Sequence, residues 1–216
     1  MTIRIKDPGS FLTHYIGMLL SMLALVPLLC RAMRNPSPLR FGAFLCFGIS
    51  FILLYGASAS YHFFDVSPRI NQLLRKIDHM MIFVMIMGSY TPVCLVALGN
   101  RSGRILLLAV YGISVLGMLM NLFWISCPKW LSSAIYIALG WVCLFSISQL
   151  HSALSTAEFV LLVAGGVIYT VGGIIYALKL PLLRRTHRYF GNHEIFHLFV
   201  MAGSACHYGM MLMMAG

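Results

Sequence analysis

The sequence predicts an all-α protein that crosses a membrane seven times as one helical bundle. Seven stretches of about 20 or more residues contain no Asp, Glu, Lys or Arg, and a helix of that length spans a hydrocarbon core of roughly 30 Å. The chain is 60% hydrophobic and 9% charged, whereas soluble domains contain about 25% charged residues. The mean hydropathy of +0.90 points the same way. These observations place the chain in a lipid bilayer.

Each apolar stretch predicts a helix rather than a strand. A strand of a membrane barrel alternates apolar and polar residues over about 10 residues, and these stretches do not alternate. The predicted helices form a single domain, residues 1–216, and run over about 12–31, 41–63, 78–99, 104–125, 130–151, 157–179 and 192–214.

The intervals between the stretches define where each helix ends. The first helix follows Arg4 and Lys6 and lacks a small-x-small cleavage site, so we expect it to remain rather than be removed as a signal peptide. The weakest breaks flank the fifth helix, at 127–129 and 155–158, where one charge marks each loop. Without one of them the bundle would have six helices. The longest polar interval, 179–194, is too short to form a second domain.

Basic residues in the loops predict the orientation, because cytoplasmic loops carry an excess of Lys and Arg. If the N-terminus is cytoplasmic, the basic residues inside are Arg4, Lys6, Arg69, Arg75, Lys76, Lys129, Lys179, Arg184, Arg185 and Arg188. Those outside are Arg31, Arg34, Arg40, Arg101 and Arg104. This excess predicts a cytoplasmic N-terminus and an outside C-terminus. The net charge of +10 therefore reports topology, and we expect membrane lipids rather than nucleic acid as partners.

Histidines at three predicted helix ends suggest a metal site on the cytoplasmic side. His193 and His197 are four residues apart at the start of the seventh helix, a spacing that lets both imidazoles reach one ion. His62 ends the second helix, on the same side of the membrane. Three neutral nitrogen ligands leave an open position for water, as in catalytic zinc sites. The six cysteines include no CxxC pair, which argues against a thiolate cluster.

Two further polar residues fall at the same depth. Asp78 opens the third predicted helix, across the hairpin from His62, and Ser58 lies one turn before His62 on the same helix face. A carboxylate near the membrane is costly unless it has a function. We expect Asp78 and Ser58 to orient a ligand or the metal-bound water by hydrogen bonds, with Asp78 also able to act as a general base.

A less specific interpretation also fits the histidines. With eight histidines in the chain, an HxxxH pair can arise by chance, and histidines at helix ends often lie in the headgroup region. His207 is about 15 Å deeper along the seventh helix than His197, which favours a hydrogen-bonded interior role. Structural or interfacial roles are expected for the others, because His79 is turned about 100° away from Asp78 on its helix, and His14, His151 and His187 lie at other helix ends or in loops. Haem ligation is disfavoured because His193 and His197 share one helix.

Several motifs in order resemble the haemolysin III branch of the progestin and adipoQ receptor family. They are SASYH at 58–62, KIDHM at 76–80, GSYTP at 88–92 and HEIFHLFVMAGSACHY at 193–208. The resemblance implies a seven-helix bundle with zinc near the cytoplasmic face, held by His62, His193 and His197. It also implies that Asp78 and Ser58 lie beside the ion.

The resemblance suggests three functions. The first is a hydrolase of ceramide-like lipid amides that uses zinc-activated water and admits an acyl chain into a cavity between the helices. The alternative is a non-enzymatic membrane lipid sensor or regulator with a structural zinc. A lytic pore is disfavoured, because the polar residues that would line a path through the whole bilayer are lacking.

Overall fold

The computed structural model describes residues 5–124, 127–178 and 190–216 and contains seven helices long and apolar enough to cross a membrane. The helices are α1 (Pro8–Ala32), α2 (Pro38–Phe63), α3 (Pro68–Leu98), α4 (Arg101–Phe123), α5 (Lys129–Ala153), α6 (Thr156–Leu178) and α7 (Asn192–Met214). The predicted seven-helix fold class is confirmed, and the six-helix alternative is excluded. The predicted ends near residues 125 and 179, and the basic residues Arg4, Lys179, Arg184, Arg185 and Arg188, lie outside the described residues.

The first three helices begin in the same way, with a proline in the first turn. Proline lacks the N–H that would have no partner there, and its fixed φ suits a helix start. Ser37 and Ser67 cap α2 and α3 by accepting the N–H groups of Arg40 and Ile70. The chain therefore contains its own signals for where these helices start, independent of hydropathy.

The third helix begins at Pro68, about three turns before the predicted start near residue 78. The Ser67 cap and Pro68 initiate it, and its first turns carry Arg69, Arg75 and Lys76. The charge-free stretch marks only the part of a helix that lies in hydrocarbon, so a helix that projects beyond the hydrocarbon is longer than its apolar run. As a result, Asp78 lies within α3 and not at its end.

The helices pack against their neighbours in chain order, and α7 returns to α1 to close the ring. The helices α2 and α3 are the most buried, and Phe44, Phe47 and Phe83 are fully enclosed in the core. Large apolar side chains such as Leu108 and Phe145 point outwards, as expected where the surrounding solvent is lipid. This closure brings the start of α1, the end of α2 and the start of α7 together.

Helix α5 is interrupted by a tighter 3₁₀ segment, Trp141–Ser146. The hydroxyl of Tyr90, in the GSYTP motif of α3, donates to the carbonyl oxygen of Gly140 at 2.7 Å and accepts the N–H of Cys143 at 2.9 Å. Backbone groups released by an irregular helix have no water to bond with in a membrane. Tyr90 supplies those bonds, and so permits the irregular segment.

The last turn of α3, Val93–Leu98, is a π-helix that packs directly on the first turn of α4. The turn ends at Gly99, whose φ of 59° is left-handed and therefore favours glycine. A Cβ placed on Gly103 of α4 would lie only 2.4 Å from the carbonyl oxygen of Cys94. The contact between the two helices thus depends on a missing side chain at Gly103.

Replacing Gly103 by Ala should destabilise the bundle, because the backbone oxygen of Cys94 cannot move aside without shifting α3. We expect a cost of roughly 1–3 kcal/mol, typical of overpacking, visible as a lower thermal unfolding midpoint in detergent. Gly112→Ala in the same helix is the control, since a Cβ there meets nothing within 4 Å. Equal midpoints for the two variants would contradict this interpretation of the α3–α4 contact.

Candidate metal centre

Three imidazoles from two helices meet at one end of the bundle. His62 lies in the last turn of α2, and His193 and His197 lie in the first turns of α7. One nitrogen of each lies within 4.8 Å of the others, and the Nε2 atoms of His62 and His193 are 3.2 Å apart. A tetrahedral ion with metal–nitrogen distances of about 2.0–2.1 Å holds two nitrogens roughly 3.3 Å apart. The predicted convergence is therefore present, and the cluster could hold a metal ion.

The outer nitrogens of two of these rings already have partners. Nδ1 of His62 lies 3.0 Å from Oδ2 of Asp7, and Nδ1 of His197 lies 3.0 Å from Oγ1 of Thr13. These bonds leave the Nε2 atoms to face the centre. Metal-binding histidines typically use their second nitrogen in this way, so the donor set fits a metal.

The structure places Ser58 and Asp78 on the wall of the same cavity as His193 and His197. Ser58 is buried one turn before His62. Asp78 is half-buried on α3, and the Ser58 side chain lies close enough to interact with its carboxylate. The two residues therefore form a connected pair beside the histidines, although they come from different helices.

The expectation that His14 lies away from these histidines is wrong. Its ring stacks on that of His197, with centroids 3.5 Å apart and an interplanar angle of 11°. It is 4% exposed, and neither ring nitrogen has a hydrogen-bond partner among the described residues. The reason is that α1 and α2 form an antiparallel hairpin, so the start of α1 returns to the depth at which α2 ends.

The remaining histidines occupy different depths. His207 is in the interior, with its Nε2 3.4 Å from the carbonyl oxygen of Leu162, which confirms the expected hydrogen-bonded role. His79 lines the cavity, as does His207 at greater depth. His151 is exposed and packs edge-on against Phe159. His187 lies outside the described residues.

An elongated cavity leads from the histidine cluster into the bundle. The helix rise places Tyr90 about 18 Å from Asp78 along α3, and His207 about 21 Å from His193 along α7, and all four residues line it. Its walls between these levels are mainly apolar and include Leu54, Ile82, Met85, Ile86, Ile137, Phe196 and Val200. Arg75 and Lys129 line it near the histidine end. The cavity thus has a polar, cationic end and an apolar interior.

Sequence reasoning missed the contribution of α1. Asp7, Ser10, Thr13 and His14 all contact the cluster or its flanking residues. Asp7, Ser10 and Thr13 are spaced by three positions and His14 lies four positions after Ser10, which puts them on one helix face. That spacing was the available signal, but it became informative only once α1 was known to pack against the ends of α2 and α7.

Comparison with known proteins shows extensive similarity. A family model described as haemolysin-III related matches residues 3–208. The chain is 35% identical over 201 residues to a Hemolysin-3 homolog of Bacillus subtilis (strain 168), covering 93% of this chain and 90% of that protein. It is 34% identical over 201 residues to Hemolysin-3 of Bacillus cereus, covering 93% of this chain and 87% of that protein.

Proposed function

We propose, from the premise that this chain belongs to the haemolysin III family, that it binds zinc through His62, His193 and His197 and hydrolyses a lipid amide. Family membership and seven apolar helices make it a multi-pass integral membrane protein. The observation that carries the proposal is the placement of three converging imidazoles at the polar end of a long apolar cavity.

Zinc fits this set of donors. Neutral imidazole nitrogens suit zinc and similar transition metals, whereas magnesium and calcium prefer oxygen ligands. Three histidines with a fourth position open are a frequent catalytic arrangement for zinc. When bound, the ion would supply Lewis acidity, which can polarise a carbonyl oxygen or lower the pKa of a water molecule.

Asp78 is the group that would move protons in this reaction. Its carboxylate can accept a proton from a water molecule and return it to the amine nitrogen as the amide bond breaks. Ser58, whose side chain interacts with this carboxylate, would help to orient it.

The cavity suits one apolar chain of a lipid, such as the acyl chain of a ceramide-like amide. Its apolar walls run away from the histidines into the bundle, so the polar head of a lipid would remain at the histidine end while its chain fills the interior. Arg75 and Lys129 near that end would face a polar or anionic head. The excess of basic residues on one side supports placing this end at the cytoplasmic face.

Purified protein should contain close to one zinc ion per chain, measured by elemental mass spectrometry. His197→Ala should lose most of this zinc, because two imidazoles alone bind zinc far more weakly than three. His151→Ala is the matched control, since that histidine is exposed and packs against Phe159. Zinc-free wild-type protein, or equal zinc in the two variants, would refute the zinc assignment.

Asp78→Asn should lower the release of fatty acid from ceramide by roughly 10²–10⁴-fold, the usual contribution of a general base, while zinc content stays unchanged. Asp65→Asn provides the control, because that carboxylate is exposed and bonds to Asn71. An Asp78→Asn variant with wild-type activity would exclude the assigned base. A zinc-loaded wild-type protein inactive on lipid amides would favour the non-enzymatic lipid sensor.

A further inference from the structure

We propose that the start of α1 is an outer layer of the metal centre, in which Asp7 and Thr13 hold His62 and His197 in their metal-binding tautomers. This inference rests on the proposed zinc site. It assigns positioning roles to residues of a helix that supplies none of the three ligands.

The segment that enters α1 is fastened to the end of α2. The N–H of Asp7 donates to the carbonyl oxygen of His62 at 2.9 Å, and the N–H of Lys6 donates to that of Phe63 at 3.3 Å. The ammonium of Lys6 also lies 3.6 Å from the centre of the Tyr61 ring. These contacts hold the Asp7 backbone beside the His62 ring.

Asp7 fixes the tautomer of His62. An ionised carboxylate can only accept hydrogen bonds, so the 3.0 Å contact with Oδ2 of Asp7 requires that Nδ1 of His62 carry the proton. The lone pair of a neutral His62 is then on Nε2, the atom that faces His193. Asp7 makes no side-chain capping bond to α1, so its carboxylate is free to serve the histidine.

Thr13 does the same for His197. Its hydroxyl has one proton, for which the carbonyl oxygens of Ser10 at 2.9 Å and Gly9 at 3.2 Å are acceptors. With the proton donated to one of them, its oxygen accepts from Nδ1–H of His197, 3.0 Å away. The Ser10 carbonyl also interacts with this ring, so Thr13 shares the task. The stacked His14 ring further restricts rotation of His197.

A third connection reaches the helix that carries His193. The hydroxyl of Ser10 donates to Oε1 of Glu194, and Oε2 of Glu194 accepts the N–H of Gly191 at 2.7 Å. The same carboxylate thus caps α7 and ties its first turn to α1. Each of the three predicted ligands is therefore connected to α1, either directly or through its neighbour in the chain.

Outer partners of this kind typically change metal affinity by 10–100-fold. In full-length protein in detergent, zinc affinity measured by competition with a chromophoric chelator should fall 10–100-fold for Asp7→Ala. The zinc affinity of Asp7→Asn should lie between those of Asp7→Ala and the wild type, because the Asn amide oxygen can still accept from Nδ1–H but lacks the negative charge. Thr13→Val should lower the zinc affinity less than Asp7→Ala does, since the Ser10 carbonyl still interacts with the His197 ring.

The control variants remove a hydroxyl and a carboxylate that do not contact the histidines. Ser21→Ala removes a hydroxyl of α1 that donates to the carbonyl of Gly17 in its own helix, and Asp65→Ala removes an exposed carboxylate. Both should bind zinc as the wild type does. Gel filtration of the metal-free proteins verifies that each variant folds. If Asp7→Ala does not fold, the near-isosteric Asp7→Asn and Thr13→Val variants test whether α1 affects zinc affinity.

The results separate the two proposals. Wild-type affinity in the Asp7 and Thr13 variants, with zinc bound by the wild type, would overturn the role of α1 and leave the zinc site intact. A wild-type protein that binds no zinc would overturn both. Weaker binding by the Asp7 and Thr13 variants, with unchanged controls, supports the outer layer.

Discussion

The architecture depends on the cost of burying polar side chains at the end of a membrane bundle. An imidazole has two nitrogens, and leaving either without a partner costs free energy when water is excluded. His62 and His197 meet this requirement by directing one nitrogen towards α1 and the other towards the cluster. Because the helix ring closes at α1 and α7, each of these two rings has α1 next to one nitrogen and the other histidines next to the second. The lateral packing of α1 therefore supplies contacts to two of the three histidines.

The same closure explains the shape of the cavity. Polar groups from α1, α2, α3 and α7 gather at one end, while the walls deeper in the bundle are mainly apolar. Such a gradient fits a molecule with a polar head and an apolar chain, such as the acyl chain of a lipid amide. Tyr90 shows how the deeper wall is maintained, since its hydroxyl bonds to the irregular part of α5. Residues far from the histidines thus also shape the space that a lipid would occupy.

The sequence predicted more about the helices and the principal histidines than about their surroundings. His62, His193 and His197 could be grouped because each ends or begins an apolar stretch on one side of the membrane. His14 was misplaced because its distance from a helix end says nothing about which helix faces it. Asp78 was expected at the start of α3, but the Ser67 cap and Pro68 extend that helix well beyond its apolar run.

The sequence by itself determined depth: composition and charge spacing specify how many times the chain crosses the bilayer and which side chains share a level. Only the tertiary structure decided which helices are neighbours and how each helix is rotated about its axis. It shows that α1 lies against α2 and α7. It also shows that Asp7, Thr13 and His14 face the cluster. The physical reason is that lipid tails are as apolar as the protein interior. A membrane helix is therefore apolar on all sides, and its sequence does not show which side faces the bundle.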